Sequence, residues 1–442
     1  MGDIEDALPK ETKTVQAIYD HYKAQGDNGY MSQTLSVSLL GHPCERYLWY
    51  SFRQCFKPQF DGRMYRLFER GDLEEARLTT DLRAIGCEVH VIDERTGRQF
   101  LVLGHGGHLK GYMDGCGLGL PEAPKTWHVV EYKTHNAKSF AKLRRDGLEK
   151  AHPKHFAQVQ IEMHLTGMRR ALYLAVNKDT DEIYAERVRY DKAFATDLYE
   201  KALRIIALSK PPSRISSRPD YYQCRFCDAK AICWGTTAPE PAVPLPRLSC
   251  RQCCWATPLT DRGNAHWRCE KHGNVMRLVG DVSPCKHHLL IPDLVMFAEV
   301  GAYDTDDLGN ARVEFIVEDG KTFRHGNGPG CISSEALITT PADAIMDGAV
   351  QAACEQFGAK PTDYCADDIL SRYPEEDSRT IWKGPAKQIK EQWMATYKED
   401  PMELKPLATC NNFEARVIEY EGGRLAIVWR DSGLGEIREG VE

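Results

Sequence analysis

Residues 111–134 read GYMDGCGLGLPEAPKTWHVVEYKT. An acid, Asp114, follows a glycine-flanked turn, and a second acid and a lysine, Glu131 and Lys133, stand on the next strand. Alternation with period two sets Glu131 and Lys133 on one face of that strand. The apolar pair Val129-Val130 leads straight into these charges. An apolar face is therefore broken where it would normally continue, and such breaks mark sites. Two carboxylates with the carbonyl of Tyr132 between them suit a divalent metal, and a lysine beside the metal can orient or activate water. An isolated acid-x-lysine triplet is common by chance and more readily reads as the salt-bridged end of a surface strand. The flanking chain decides between the two.

Upstream, Val15, Ile18, Tyr19 and Tyr22 recur at helical spacing, and Cys44–Phe52 reads as a second helix. MYRLFERGDLEEARLTTDLRAI, residues 64–85, is a long amphipathic helix with Glu75 four residues after Gly71. Cys87–Val91 and Gln99–Leu103 predict a hairpin, and a strand through Lys110–Asp114 leads to the Glu131 strand. Downstream, helices are expected at about 137–147 and 153–166, broken at Gly147 and Pro153. The second, HFAQVQIEMHLTG, carries Gln158, Gln160 and His164 beside an apolar face. Strands at 171–177 and 182–190 and a helix at about 191–209 follow. Helices laid on a strand meander define an α/β or α+β class.

A length of 442 residues allows two or three domains, and the composition, 42% apolar and 27% charged, is that of a soluble globular protein. No apolar run reaches the roughly 20 residues of a membrane span. The acidic, polar N-terminus does not read as a signal peptide, so a cytoplasmic protein with no membrane partner is expected. The net charge of −7 argues against nucleic acid until it is divided. Residues 1–290 carry 42 Lys and Arg against 35 Asp and Glu, and residues 291–442 carry 15 against 29. A basic body is followed by an acidic tail. From 136 to 170 there are eight basic residues against three acids, among them Lys138, Lys142, Arg144, Arg145, Lys150 and Lys154, which suits a phosphate backbone.

The 16 cysteines of a chain expected in the cytosol point to metal or cluster ligation rather than disulfides. Cys224, Cys227 and Cys233 form C-x2-C-x5-C after a breaker-rich linker, one ligand short of a closed site. A Pro-rich linker then opens onto Cys250, Cys253, Cys269 and His272, in the C-x2-C-x15-C-x2-H spacing of a zinc ribbon, with Cys254, Cys285 and His288 as spare donors. Three domains are expected: 1–236, a zinc-ribbon-like module at 247–290, and an acidic α+β tail at 291–442 whose role the residues do not disclose.

The ordered set is G-x3-E on a helix, D-G after a strand, E-x-K on the next strand, and glutamines on a helix. It resembles the PD-(D/E)XK nuclease superfamily in its RecB-like branch, over about residues 35–235. With one cysteine before the core and three after it, the chain resembles the iron–sulfur nucleases, including the AddB nuclease domain and CRISPR-associated RecB-like proteins, and its extensions resemble phage-encoded versions. The resemblance implies a mixed-sheet core flanked by helices and a metal-dependent DNA exonuclease for end processing in recombination, repair or phage replication. It implies Mg²⁺ or Mn²⁺ on Glu75, Asp114, Glu131 and the Tyr132 carbonyl, with Lys133 and Gln158 completing the catalytic set. It also implies a [4Fe–4S] cluster on Cys44, Cys224, Cys227 and Cys233, with zinc as the rival occupant. Partners would be single-stranded DNA or duplex ends and a single-strand-annealing recombination protein, in the host cytoplasm for a phage-encoded chain. Two departures stand out: Asp72 follows Gly71 where some relatives have histidine, and Glu162 fills the usual tyrosine position of the glutamine motif. Spacing leaves open whether Gln158 or Gln160 faces DNA. A catalytically weak DNA-binding scaffold and an RNA nuclease are the alternative functions. The cluster is expected to give anaerobically purified protein absorbance near 400 nm, lost in Cys44→Ala. Zn²⁺ would be colourless.

Overall fold

The computed structural model describes residues 12–29, 31–236, 240–278, 284–305, 309–327 and 331–346, and beyond them only the strands 360–361, 382–383, 416–420, 424–431 and 434–440. The chain divides into two units. One gathers 1–215, 258–267 and 275–277, and the other 216–257, 268–274 and 278–442.

The first unit is a mixed α/β fold. Its helices are α1 (Lys13–Gly26), α2 (Glu45–Phe52), α3 (Gly62–Ala84), α4 (Ala137–Ala151), α5 (Pro153–Thr166) and α6 (Lys192–Ala207). Its strands are β1 (Leu35–Ser36), β2 (Glu88–His90), β3 (Ile92–Asp93), β4 (Arg98–Gln99), β5 (Leu101–Gly104), β6 (Leu109–Tyr112), β7 (Gly115–Leu118), β8 (His128–His135), β9 (Arg170–Asn177) and β10 (Ile183–Arg189). Helix starts follow local chemistry. The Asp61 carboxylate accepts from Met64 N at 2.7 Å, Asn136 Oδ1 from Ser139 N at 2.8 Å, and Asp191 Oδ1 from Phe194 N at 3.1 Å. Each satisfies an amide with no partner in its own helix. Pro153 opens α5, where its missing N–H costs nothing, and Gly167 closes it in the left-handed region.

The main sheet has the order β10-β9-β8-β7-β2. β8 is central, antiparallel to β7 and parallel to β9, with Glu131 opposite Tyr173 and Lys133 opposite Ala175. A parallel neighbour requires a crossover, and α4 and α5 supply it. One sheet face packs on α3 through Leu78, Leu82, Val89, Val130, Tyr132 and Leu172. A smaller sheet, β1-β6-β5, carries the chain into Asp114.

One local expectation changes and another is met with an addition. The hairpin of 87–91 and 99–103 closes only at its tip, where β3 pairs with β4. Past that tip, β2 joins β7 in the main sheet and β5 joins β6 in the smaller one. The expected break at Gly147 is present, at φ +74° and ψ 170°, and a further short helical stretch follows it to Ala151. The glycine breaks the helical path without ending the element.

The glycines around Asp114 have a steric reason. A Cβ on Gly111 would stand 2.7 Å from Val37 Cβ, and one on Gly115 would stand 2.7 Å from the His90 carbonyl oxygen. The second contact is with backbone and has no rotamer to yield. Gly115→Ala is expected to destabilise the protein by about 1–3 kcal/mol and to displace Asp114, read as a lower melting temperature together with weaker cleavage.

In the second unit, α7 (Lys230–Trp234) follows the Cys224 turns. Strands 298–305, 311–317 and 322–326 form an antiparallel sheet with Val313, Phe315 and Phe323 buried. Strands 360–361, 416–420, 424–431, 434–440 and 382–383 form a five-stranded sheet in that order. The Glu421-Gly422-Gly423 stretch, which reads in the sequence as a hairpin turn, the helix-like run GPAKQIKEQWMATY at 384–397, and Cys354, Cys365 and Cys410 lie outside the described residues. Among the described residues no helix is long and apolar enough to cross a membrane.

Candidate active site

The site forms where β8 leaves the apolar layer. Glu131 is fully buried in the middle of that strand. Its Oε1 contacts Lys133 Nζ, while Oε2 is buried with no hydrogen-bond partner. Lys133 Nζ also donates to the Tyr132 carbonyl at 2.9 Å and lies 3.9 Å from Asp114 Oδ2. Asp114, at the turn between β6 and β7, accepts from Tyr132 N at 2.9 Å through Oδ2. The ammonium therefore sits among the two acids and the carbonyl that sequence assigned to a metal. Tyr132 points its ring into the α3 interface, where its hydroxyl accepts from Thr79 Oγ1 at 3.1 Å.

A cavity of about 330 Å³ opens here, with Glu74, Glu75, Lys133, His135, His152 and His155 in its wall. Glu75 comes from α3, one side of the cleft, and Lys133 from β8. Burial, and after it the Asp114 charge, pushes Glu75 up to about 7. Burial pushes Glu131 up to about 7 as well, against the pull of Lys133. Asp114 is raised by burial, with Lys133 and the Tyr132 amide opposing. Burial disfavours the Lys133 ammonium, yet Glu131 and Asp114 outweigh it and hold the group above the usual lysine range. Several acids around one ammonium leave uncompensated negative charge.

The glutamine helix sorts itself. Gln160 Nε2 donates to the Arg189 carbonyl and Gln160 Oε1 accepts from Asp191 N, both at 2.8 Å, so this fully buried side chain ties α5 to the start of α6. Gln158 Nε2 donates to Glu162 Oε1 at 3.0 Å. Glu162 is fully buried, and its Oε2 has no hydrogen-bond partner. Burial, then Glu131, raises its carboxyl well above the ordinary range. His164 Nδ1 meets the Tyr190 hydroxyl at 2.8 Å.

Sequence reasoning passed over three histidines. His135 and His152 stack at 4.5 Å and His152 and His155 at 5.2 Å between ring centroids. The Tyr173 hydroxyl lies 2.9 Å from both His135 Nε2 and His155 Nδ1, and Ser139 Oγ lies 2.9 Å from His135 Nδ1. Burial pushes His135 down to about 4 and His155 down to about 3, so both rings are neutral at pH 7. The available signal was His152-Pro-Lys-His155 at the start of a helix, which places two rings within one turn.

The basic residues divide. Lys138 and Lys150 are exposed on α4. Lys142 Nζ donates to the Ala151 carbonyl at 3.0 Å, Arg144 pairs with Glu182 at 3.0 Å, and Arg145 forms a two-pronged pair with Asp146 at 2.8 Å. Burial lowers Lys154.

The cysteines fall in different places. Cys44 lies in the first unit, as the residue before α2, with its amide donating to His42 Nδ1 at 3.1 Å. Cys224, Cys227 and Cys233 lie in the second unit on consecutive turns, with Cys224 N donating to Tyr221 O at 2.7 Å and Cys233 N to Ala229 O at 3.0 Å. Cys250 and Cys253 flank a short turn and Cys269 ends the strand 266–269. Burial first, then Cys253, Cys285 and Cys269, push the Cys250 thiol up to about 11. Cys285 Sγ lies 3.6 Å from His272 Nε2, so the spare donor Cys285 stands beside the expected ligand. Among the described residues no group of three His, Cys, Asp or Glu side chains stands ready-made to hold a metal. In the active site, the Lys133 ammonium occupies the position between the acids. The donor chemistry there nonetheless fits a hard cation: the available groups are oxygens, and Glu131 Oε2 is buried without a partner.

No family model matches the chain. No curated protein matches it. Among solved structures, the protein SSO0001 is similar at a TM-score of 0.30 and 17% identity, over 50% of this chain and 96% of the other. An alkaline exonuclease, LHK-Exo from Laribacter hongkongensis, is similar at 0.28 and 14%, over 43% of this chain and 91% of the other. Its complex with dAMP is similar at 0.29 and 14%, over 42% and 91%. Likeness at this level does not decide function, which rests on the site.

Proposed function

We propose that the chain is a metal-dependent nuclease of the PD-(D/E)XK type, acting as an exonuclease on DNA ends. The observation that carries this reading is the buried, partnerless Oε2 of Glu131 beside Lys133, which also donates to the Tyr132 carbonyl, lies 3.9 Å from Asp114 and lines a cavity with Glu75. Asp114, Glu131 and the Tyr132 carbonyl would hold Mg²⁺ or Mn²⁺, with Glu75 joining directly or through water. When bound, the ion polarises a phosphoryl oxygen and lowers the pKa of water. Lys133, freed from Glu131, holds the attacking water and offsets the negative charge that develops on the phosphate. Tyr132 N fixes one oxygen of Asp114 and leaves the other available to the ion. Gln158 stands on the neighbouring helix, where it holds Glu162. A cavity of about 330 Å³ accommodates a nucleotide-sized group.

End-labelled single- and double-stranded DNA and RNA, each with Mg²⁺, Mn²⁺ or EDTA, test the proposal. DNA shortened from one end only with a divalent ion supports it. RNA-only cleavage, or cleavage unaffected by EDTA, rejects it. The exposed Lys138 at the start of α4 gives a second test. DNA binding should weaken as salt rises, and Lys138→Gln should reduce the slope of log affinity against log salt by about one unit or less. An unchanged slope would place the DNA elsewhere.

A further inference from the structure

We propose that Glu162 is a metal ligand in this chain: its Oε2 and Glu131 Oε2 together form a second position for a hard divalent cation, beside the one on Asp114, Glu131 and the Tyr132 carbonyl. The inference rests on the metal-dependent reading of the site and adds a residue and an ion to it.

Both side chains are fully buried, and each has one carboxylate oxygen spoken for and one without a partner. Glu131 Oε1 meets the Lys133 ammonium. Glu162 Oε1 accepts from Gln158 Nε2 at 3.0 Å. Gln158 thereby fixes the Glu162 carboxylate and leaves Oε2 as the available oxygen. The two acids come from elements that pack together, β8 and α5, and the Glu131 charge acts on Glu162. A buried carboxylate oxygen with nothing to accept from is costly, and native proteins rarely keep one without a ligand, a water or a proton to satisfy it. Here two occur, on the packed elements β8 and α5.

The charge tally points the same way. Glu75, Asp114, Glu131 and Glu162 bring four negative charges when ionised, and Lys133 brings one positive charge. A single divalent ion leaves the site one charge negative, and a second leaves it one positive, the sign suited to an incoming phosphate. Residues around Glu162 on α5, namely Val159, Ile161 and Met163, are fully buried and apolar. An acid among them has no packing purpose that leucine or methionine would not serve better. The competing account is that Glu162 stays protonated and donates its proton to Glu131.

Mn²⁺ binding separates the two, read by loss of the free-ion electron paramagnetic resonance signal on titration of the full chain. Mn²⁺ prefers oxygen donors, which keeps the cysteine groups from dominating the count. The wild type is expected to bind one more tight Mn²⁺ than Glu162→Gln, whose second Mn²⁺ should weaken by about ten-fold or more. Glu162→Asp keeps the charge and should fall between them. It also serves as the readable variant if the glutamine does not fold, with its second Mn²⁺ again weaker than in the wild type. A Glu162→Gln protein with the full Mn²⁺ count and unchanged affinity overturns the inference and favours the neutral acid. Asp114→Asn is the control for the underlying reading. If it lowers the count while the Glu162 variants do not, only Glu162 is wrong. If it changes nothing, the metal site itself is wrong.

Discussion

Lys133→Ala is expected to lower the rate of DNA cleavage by about 10²–10³-fold while leaving divalent-metal affinity equal to the wild type or tighter. On the proposed mechanism the two effects separate because Lys133 has two jobs. In the structure its ammonium contacts Glu131, donates to the Tyr132 carbonyl at 2.9 Å and lies 3.9 Å from Asp114. It competes for the same oxygens as the metal. During turnover it must face the water and the phosphate instead. Removing it takes away the charge that stabilises the reaction and also the competitor for the metal. Without metal, the same change leaves Glu131 buried beside Asp114 with no cation, which destabilises by about 3–5 kcal/mol unless the acid protonates. Thermal melts with and without Mg²⁺ should therefore diverge more in Lys133→Ala than in the wild type. A variant with lost activity and equally lost metal binding would show that Lys133 only holds the acids in place.

In the metal-free protein the contribution of Glu131 to stability should fall as pH rises from about 4.5 to about 7. Burial raises Glu131 from 4.5 to about 7 in the folded state, and Lys133 opposes the shift without cancelling it. The folded chain thus holds a proton that the unfolded chain has released over that range. The favourable contribution is complete below the unfolded value and gone above the folded one. A shift of this size corresponds to roughly 3 kcal/mol, or roughly 6–12 °C in melting temperature for a domain of about 200 residues. Glu131→Gln should lose this share when melts are run in EDTA, so its profile diverges from the wild type across this range while the contributions of Glu75, His135 and His155 stay common to both. Mg²⁺ at pH 7.5 should restore the wild type and leave Glu131→Gln unmoved. Parallel melting profiles for the two proteins across this range would refute the assignment of the proton to this buried acid.

Much of the site is visible in the chain because it is local. Asp114 needs a close turn, and Gly111 and Gly115 supply the space against Val37 and the His90 carbonyl. Glu131 and Lys133 are two residues apart on one strand, and their side chains meet. The mixed α/β class follows from the alternation of helical and strand periods. What escaped depends on pairing over distance. Residues 88–90 look like half of a hairpin, but their partner is 116–118, and no local pattern says so. His135, His152 and His155 meet because α4 leaves the end of β8 and α5 returns beside it. Spacing could not choose between Gln158 and Gln160. Nor could spacing show that Gln160 gives its amide to the backbone at Arg189 and Asp191 while Gln158 holds Glu162. Glu162 reads in the sequence as a departure at an aromatic position. Its complete burial, which makes it chemically demanding, depends on the packing of α5 against β8.

The most direct test of the account is cleavage of end-labelled DNA by wild type and Asp114→Asn, with Mn²⁺ and with EDTA. Asp114 is the acid held by the Tyr132 amide at the centre of the site, and asparagine keeps its shape while removing its charge. The account expects the wild type to shorten the DNA only in Mn²⁺ and Asp114→Asn to leave it intact in both. An Asp114→Asn protein that degrades DNA at the wild-type rate in Mn²⁺ would contradict it.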